Sequence, residues 1–114
     1  MTATAGGVRF QDGTAVVDLP PQIDQTAEEA LNDAYAAAAA QGARTVLLNF
    51  RGVDFLSSTG IALIVGILAR ARKDGRAITA AGLSEHYREI FEITRLADFM
   101  KIYADESAAL KGGA

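Results

Sequence analysis

Apolar residues in this chain come in short runs whose spacing switches between two periods, and the switches delimit the elements. Val8 to Phe10 and Ala15 to Leu19 flank Gln11-Asp12-Gly13-Thr14. Asp-Gly between two such runs predicts a β-hairpin. Pro20-Pro21 ends the second strand, because proline has no N–H to give to a ladder. Ala27, Ala30, Leu31, Ala34, Tyr35 and Ala38 then recur at helical spacing, with Glu28, Asn32 and Asp33 falling elsewhere. Thr26 and Glu29 have the spacing of a capping box, and Gly42 supplies a left-handed stop. A first helix is expected over 26–41.

Thr45 to Phe50 is a nearly continuous apolar run, as expected of a central strand covered on both faces. Three hydroxyl residues, Ser57, Ser58 and Thr59, precede Gly60 and the apolar stretch from Ile61 to Lys73, which Asp74-Gly75 closes. That predicts a second helix with signals at both ends. Its apolar residues run nearly all the way round, so it is expected to be well buried. Gly66 inside it costs about 1 kcal/mol relative to alanine, and close packing against the sheet or a partner is the expected reason. Arg76 to Ala81 reads as a further strand. A third helix is expected over 85–94, with Tyr87, Ile90, Phe91 and Thr94 on one side. Lys101 to Tyr103 reads as an edge strand, and a last helix runs from Asp105 to about Leu110. Four or five strands interleaved with about four helices predict an α/β domain, a mixed sheet with helices packed on it.

The 114 residues suit one domain, divided as a flexible leader at 1–7, a folded body at 8–110 and a tail at 111–114. Half the residues are hydrophobic and the formal charge is -3, which disfavours generic nucleic-acid binding. Arg70, Arg72, Lys73 and Arg76 form the densest basic group, at a helix end where positive charge complements the dipole. The absence of cysteine excludes disulfides and thiolate zinc sites. Met1 to Gly7 has neither the basic nor the apolar region of a signal peptide, and Ile61 to Ala69 is too short to span a bilayer. The expected setting is the cytoplasm, with no membrane insertion.

Candidate chemistry gathers at Ser57-Ser58-Thr59-Gly60. Amide groups at a helix start are unpaired and the dipole there favours negative charge. A hydroxyl at that place is a natural cap and also a good position to carry a phosphate. Neither a nucleophile elbow, a dinucleotide fingerprint nor a Walker loop is present. His86 is the only histidine, and its neighbours Glu85, Arg88 and Glu89 predict an exposed helix surface. No cofactor, metal site or catalytic residue is expected.

The order of elements, with the stretch NFRGVDFLSSTGIALIVGILARARKDGR, resembles the STAS domain of bacterial anti-sigma-factor antagonists. The downstream segment GLSEHYREIFEITRLADFMKIYADESAAL is similar to that family's ending. The resemblance implies a STAS-like sheet and a protein that acts by binding. Its partner would be an anti-sigma factor with serine/threonine kinase activity, of the histidine-kinase ATPase type. The unmodified antagonist would free the sigma factor, phosphorylation by that kinase would break the complex, and a PP2C-like phosphatase would restore it. By matching position the acceptor is Thr59, with Ser58 as fallback, and the partner surface includes Asp54, Ser57, Ser58, Thr59 and Gly60. The chain departs from the family pattern at Ser57, where aspartate is commoner. Thr59 stands where serine is commoner, and Pro20-Pro21 at a turn where many members use glycine. Alternative readings are a STAS scaffold subunit of a stressosome-like or transporter complex, and a small hydrolase using Ser58 and His86.

Overall fold

The hairpin forms where Asp-Gly predicts it. Asp12 and Gly13 both take positive φ, 50° and 83°, the twist that joins two adjacent antiparallel strands without splaying them. Those strands are β1 (Val8–Gln11) and β2 (Thr14–Asp18). In the computed structural model they are followed by β3 (Gln22–Ile23), α1 (Glu28–Ala40), β4 (Thr45–Asn49) and β5 (Phe55–Leu56). Then come α2 (Ser58–Asp74), β6 (Ala77–Ala81), α3 (Glu85–Ile93), β7 (Lys101–Tyr103) and α4 (Glu106–Gly112). The structure describes residues 8–112. The leader expected at 1–7 and residues 113–114 of the expected tail lie outside the described residues.

One sheet has the strand order β1-β2-β4-β6-β7, with β1 antiparallel to β2 and every other pairing parallel. Alternate strand residues feed two cores. Ala15, Val17, Val46, Leu48, Ile78 and Ala80 face α1, α2 and α3, whereas Val16, Leu47 and Ala81 meet Ala109 of α4. Both faces are covered, and that is why the central strands read as unbroken apolar runs. A second, two-stranded sheet pairs β3 with β5 in parallel and has no sequence forecast.

Two expectations about helix starts need correction. Thr26 does not cap α1. Asp24 instead caps a 3-10 turn at Gln25–Ala27, which it directly precedes, and accepts from both the amide and the hydroxyl of Thr26. The extra turn moves the cap upstream, so α1 starts at Glu28 with Ala27 as an uncapped lead-in. The second helix starts at Ser58 rather than after the three hydroxyl residues.

Burial of α2 is also one-sided, not all round. Gly60, Ile64, Ile67, Leu68 and Ala71 are buried, whereas Ala62, Val65, Gly66 and Ala69 are exposed. The helix lies on one sheet face, and only one stripe of a helix can meet a layer. Gly66 accordingly has nothing near the position a Cβ would take, so neither the sheet nor any other part of the described fold requires it. Toward the second half of α2, Tyr35 of α1 donates to Asp74 at 2.7 Å and Arg70 stacks on the Tyr35 ring at 4.6 Å. Arg70 also donates to Asn32, so its charge serves the α1–α2 contact besides the helix end. In α3, Phe91 is buried edge-on against Phe50 at 5.6 Å, while Thr94 is exposed and returns its hydroxyl to the Ile90 carbonyl at 2.8 Å.

Arg9 of β1 joins the two ends of the described chain. Its guanidinium donates to Asp18 at 2.8 and 2.7 Å and to Glu106 of α4 at 3.0 and 2.6 Å. Those hydrogen bonds hold both carboxyls below their ordinary values of 3.8 and 4.5. A depressed folded pKa contributes stability that is full above the unfolded value and is lost as pH falls through the folded one. The latch should therefore weaken on acidification below about pH 4.5, where the unfolded carboxyls begin to protonate. Because all three side chains are partly exposed, the whole effect is about 1 kcal/mol. Urea midpoints of wild type and Arg9→Ala should differ near neutrality and draw steadily closer as pH falls below about 4.5. A gap that stays constant across this range would show that the ion pairs contribute nothing to it.

Candidate functional site

Three contacts fix the start of α2 at the carboxyl end of β4. Pro21 accepts from the amides of Asp54 and Phe55 at 2.7 and 3.1 Å, which sets the approach to β5. The Tyr87 hydroxyl of α3 accepts from the Leu56 amide at 3.0 Å. Ile23 accepts from the Ser57 amide at 3.0 Å, and the Ser57 hydroxyl lies 3.4 Å from the same oxygen. The helix start is thus held from three sides.

The three hydroxyls then divide by role. Ser57 is the N-cap, its side chain accepting from the Gly60 amide at 3.0 Å, so its oxygen is already engaged. Ser58 and Thr59 occupy the first turn, are exposed, and have no side-chain hydrogen bond among the described residues. Their own amides belong to the unpaired set at a helix start, where the dipole favours an anion. Ser57 is committed and the other two are free.

Gly60 is buried directly beneath this turn. A Cβ built on it would overlap the Ile23 carbonyl oxygen, the same atom that holds Ser57. The close approach assigned by sequence to Gly66 therefore belongs to Gly60. Asp54 is exposed just ahead of β5. Phe55 follows it, 48% exposed, with Leu56 turned into the core. Sequence reasoning missed Phe55 and Tyr87 as parts of this surface. The two-residue alternation of β5 was the only signal for the first, and Tyr87 carried none beyond its place on α3. The expected surface residues Asp54, Ser57, Ser58, Thr59 and Gly60 do fall within one short stretch, with Gly60 beneath it.

His86 is exposed on α3, its ring 5.1 Å from that of Tyr87, and no hydrogen bond joins it to Ser58 among the described residues. Among the described residues no group of three or more His, Cys, Asp or Glu could hold a metal ion. No helix there is long and apolar enough to cross a membrane.

Comparison with known proteins gives a consistent picture. An anti-sigma-B factor antagonist of Bacillus subtilis is 28% identical over 106 residues, covering 93% of each chain. One of the same name from Staphylococcus aureus is 33% identical over 61 residues, and that match spans 56% of its length. The Bacillus cell fate determinant SpoIIAA in its phosphorylated form superposes with a TM-score of 0.73 at 24% identity, over 94% of this chain and 97% of its own. The unphosphorylated form of SpoIIAA matches at 0.69. At this identity the structural likeness speaks for the fold alone, and the relatives' names are those of regulators. The STAS domain family itself matches residues 7–109, nearly the whole described body. That match covers most of the chain, and the chain belongs to the STAS domain family.

Proposed function

We propose that the chain is an anti-sigma factor antagonist of the cytoplasm that docks through the start of α2 and is switched by phosphorylation of Thr59. The observation that carries this is the division of hydroxyls: Ser57 is used up as the cap while Ser58 and Thr59 stand free and exposed in the first turn. A kinase needs a hydroxyl it can reach, and a phosphate placed there keeps favourable company with unpaired amides. The names of the B. subtilis and S. aureus relatives support the regulatory class, and SpoIIAA is itself described in phosphorylated and unphosphorylated forms. The partner is an anti-sigma factor with serine/threonine kinase activity, and a PP2C-like phosphatase reverses the mark.

The partner surface combines Asp54, Phe55, Ser58 and Thr59 over the support of half-buried Ser57 and buried Gly60. Phe55 supplies the apolar anchor that a docking patch of small polar residues lacks, since aromatic side chains concentrate binding energy at interfaces. No conformational change is required. The modification acts by placing a charge on a contact that must lose its water.

Capture of the tagged chain from its native cytoplasm, with intact-mass analysis, tests the proposal. The expected catch is a protein with a histidine-kinase-type ATPase domain. Incubation with that partner and ATP-Mg should add one phosphate that fragment-ion mapping places on Thr59 and that Thr59→Ala abolishes. A phosphate on Ser58 would shift the acceptor by one residue. No phosphate within 57–59 would remove the switch.

A further inference from the structure

We infer that the groove beside the C-terminal half of α2 is a second site, one that takes a small amphipathic carboxylate, an apolar chain ending in an anionic head. The groove encloses about 840 Å³, inside the range of roughly 300–1,000 Å³ typical of small-molecule sites. It opens because β7 starts late. Register pairs β7 with β6 only from Thr79 onward, so Ala77 and Ile78 have a strand on the β4 side alone. The segment from Leu96 to Met100 swings past that gap and forms the outer wall. Because α2 enters at the carboxyl ends of the strands and leaves toward their amino ends, this groove lies at the far end of the helix from Ser57–Thr59.

The lining sets the ligand's chemistry. Val65, Leu68, Phe99 and Met100 provide an apolar surface on which Val65 is 44% and Phe99 59% exposed, side chains this large that the fold leaves uncovered. Against this stand three cations, Arg72, Arg76 and Lys101, in a chain whose total charge is -3. Asp98 is the one carboxylate in the lining, and Arg95 already engages it at 2.9 Å. Local charge is therefore opposite in sign to the molecule's.

Arg76 adds an independent sign. Its Nη2 donates to the Ala39 carbonyl at 3.0 Å, which fixes the guanidinium, while its Nε is buried without any hydrogen-bond partner. It is the one such buried side-chain atom among the described residues. A donor left without an acceptor carries a desolvation penalty, and although this Nε is closed to a ligand, an anionic group beside the partly exposed side chain offsets the cost of holding the charge there. Thr79, the one buried polar residue in the described core, lines the same groove. A bare anion would leave the apolar wall uncovered and a neutral hydrocarbon would leave the cations unanswered. A carboxylate with an apolar tail meets both.

Decanoate is a suitable probe, with decanol as its uncharged counterpart, in a heteronuclear NMR titration of the nitrogen-15-labelled chain. Decanoate should shift the amides of residues 76–79 and 97–101 saturably and leave residues 54–60 in place. Decanol should bind about ten-fold more weakly, the difference expected for charge-assisted hydrogen bonds to the head. Arg72→Gln combined with Lys101→Gln changes only exposed side chains, so the fold is retained, and it should weaken decanoate about ten-fold. Decanol binding as tightly as decanoate, an indifferent double variant, or no saturable shift at these amides would each overturn the site.

Discussion

Gly60→Ala is expected to lower stability by about 3 kcal/mol, at the upper end of the range for overpacking a buried position. Most Gly-to-Ala changes inside helices stabilise, because alanine is the better helix former by roughly 1 kcal/mol. At Gly60 the sign reverses, since the new methyl group would overlap a backbone carbonyl, and backbone cannot turn aside as a long side chain can. The oxygen concerned is that of Ile23, which also accepts from Ser57. Relief requires α2 to move off β3, and that breaks the contact seating the helix cap. For a domain of this length the loss corresponds to a fall in Tm of roughly 10 °C or more. Gly66→Ala makes the same change six residues on, in open space on an exposed helix face, and should stabilise by up to about 1 kcal/mol. Urea denaturation of the two variants side by side checks both signs at once. If Gly60→Ala were as stable as wild type, the approach of Ile23 would not be what keeps a glycine there.

That pair also marks the boundary of what the sequence makes legible. Hydrophobic period, Asp-Gly, and the glycines after α1 and α2 located the hairpin, the central strands and the helices, because each is decided by residues adjacent in the chain. The site's hydroxyls were legible for the same reason, as local capping chemistry at 57–59. What was not legible depends on residues far apart in sequence. Nothing near Gly60 announces that Ile23, 37 positions upstream, will press its carbonyl against it. Gly66 looked the more constrained because it sits inside an apolar run, yet that run covers more of the helix than one sheet face can bury. The β3–β5 pair escaped notice because two residues are too few to show a period. The capping of α1 went wrong by a smaller margin: Asp24 outcompeted Thr26 because a carboxylate can accept two hydrogen bonds at once, pulling a 3-10 turn in ahead of the helix.

Thr59→Glu is expected to weaken binding to the anti-sigma partner by about 100-fold, or roughly 2.7 kcal/mol, without destabilising the chain. The two halves of that statement come from opposite ends of one physical effect. In the free protein a carboxylate in the first turn of α2 sits near unpaired amides and the positive end of the dipole, which is neutral to favourable by about 0.3–1 kcal/mol. In the complex the same charge must lose its water against a surface that meets an exposed phenyl ring and small hydroxyls, and a buried, unpaired charge costs several kcal/mol. Thr59→Ala removes the proposed acceptor without adding charge, so it should bind within a few-fold of wild type and resist the proposed kinase. Isothermal titration with the purified partner, alongside thermal melts of each variant, separates the two effects. Equal affinity for Thr59→Glu and wild type would mean that negative charge is not what the partner rejects. A Thr59→Glu chain that melts well below wild type would mean that any lost binding reflects a damaged helix start instead.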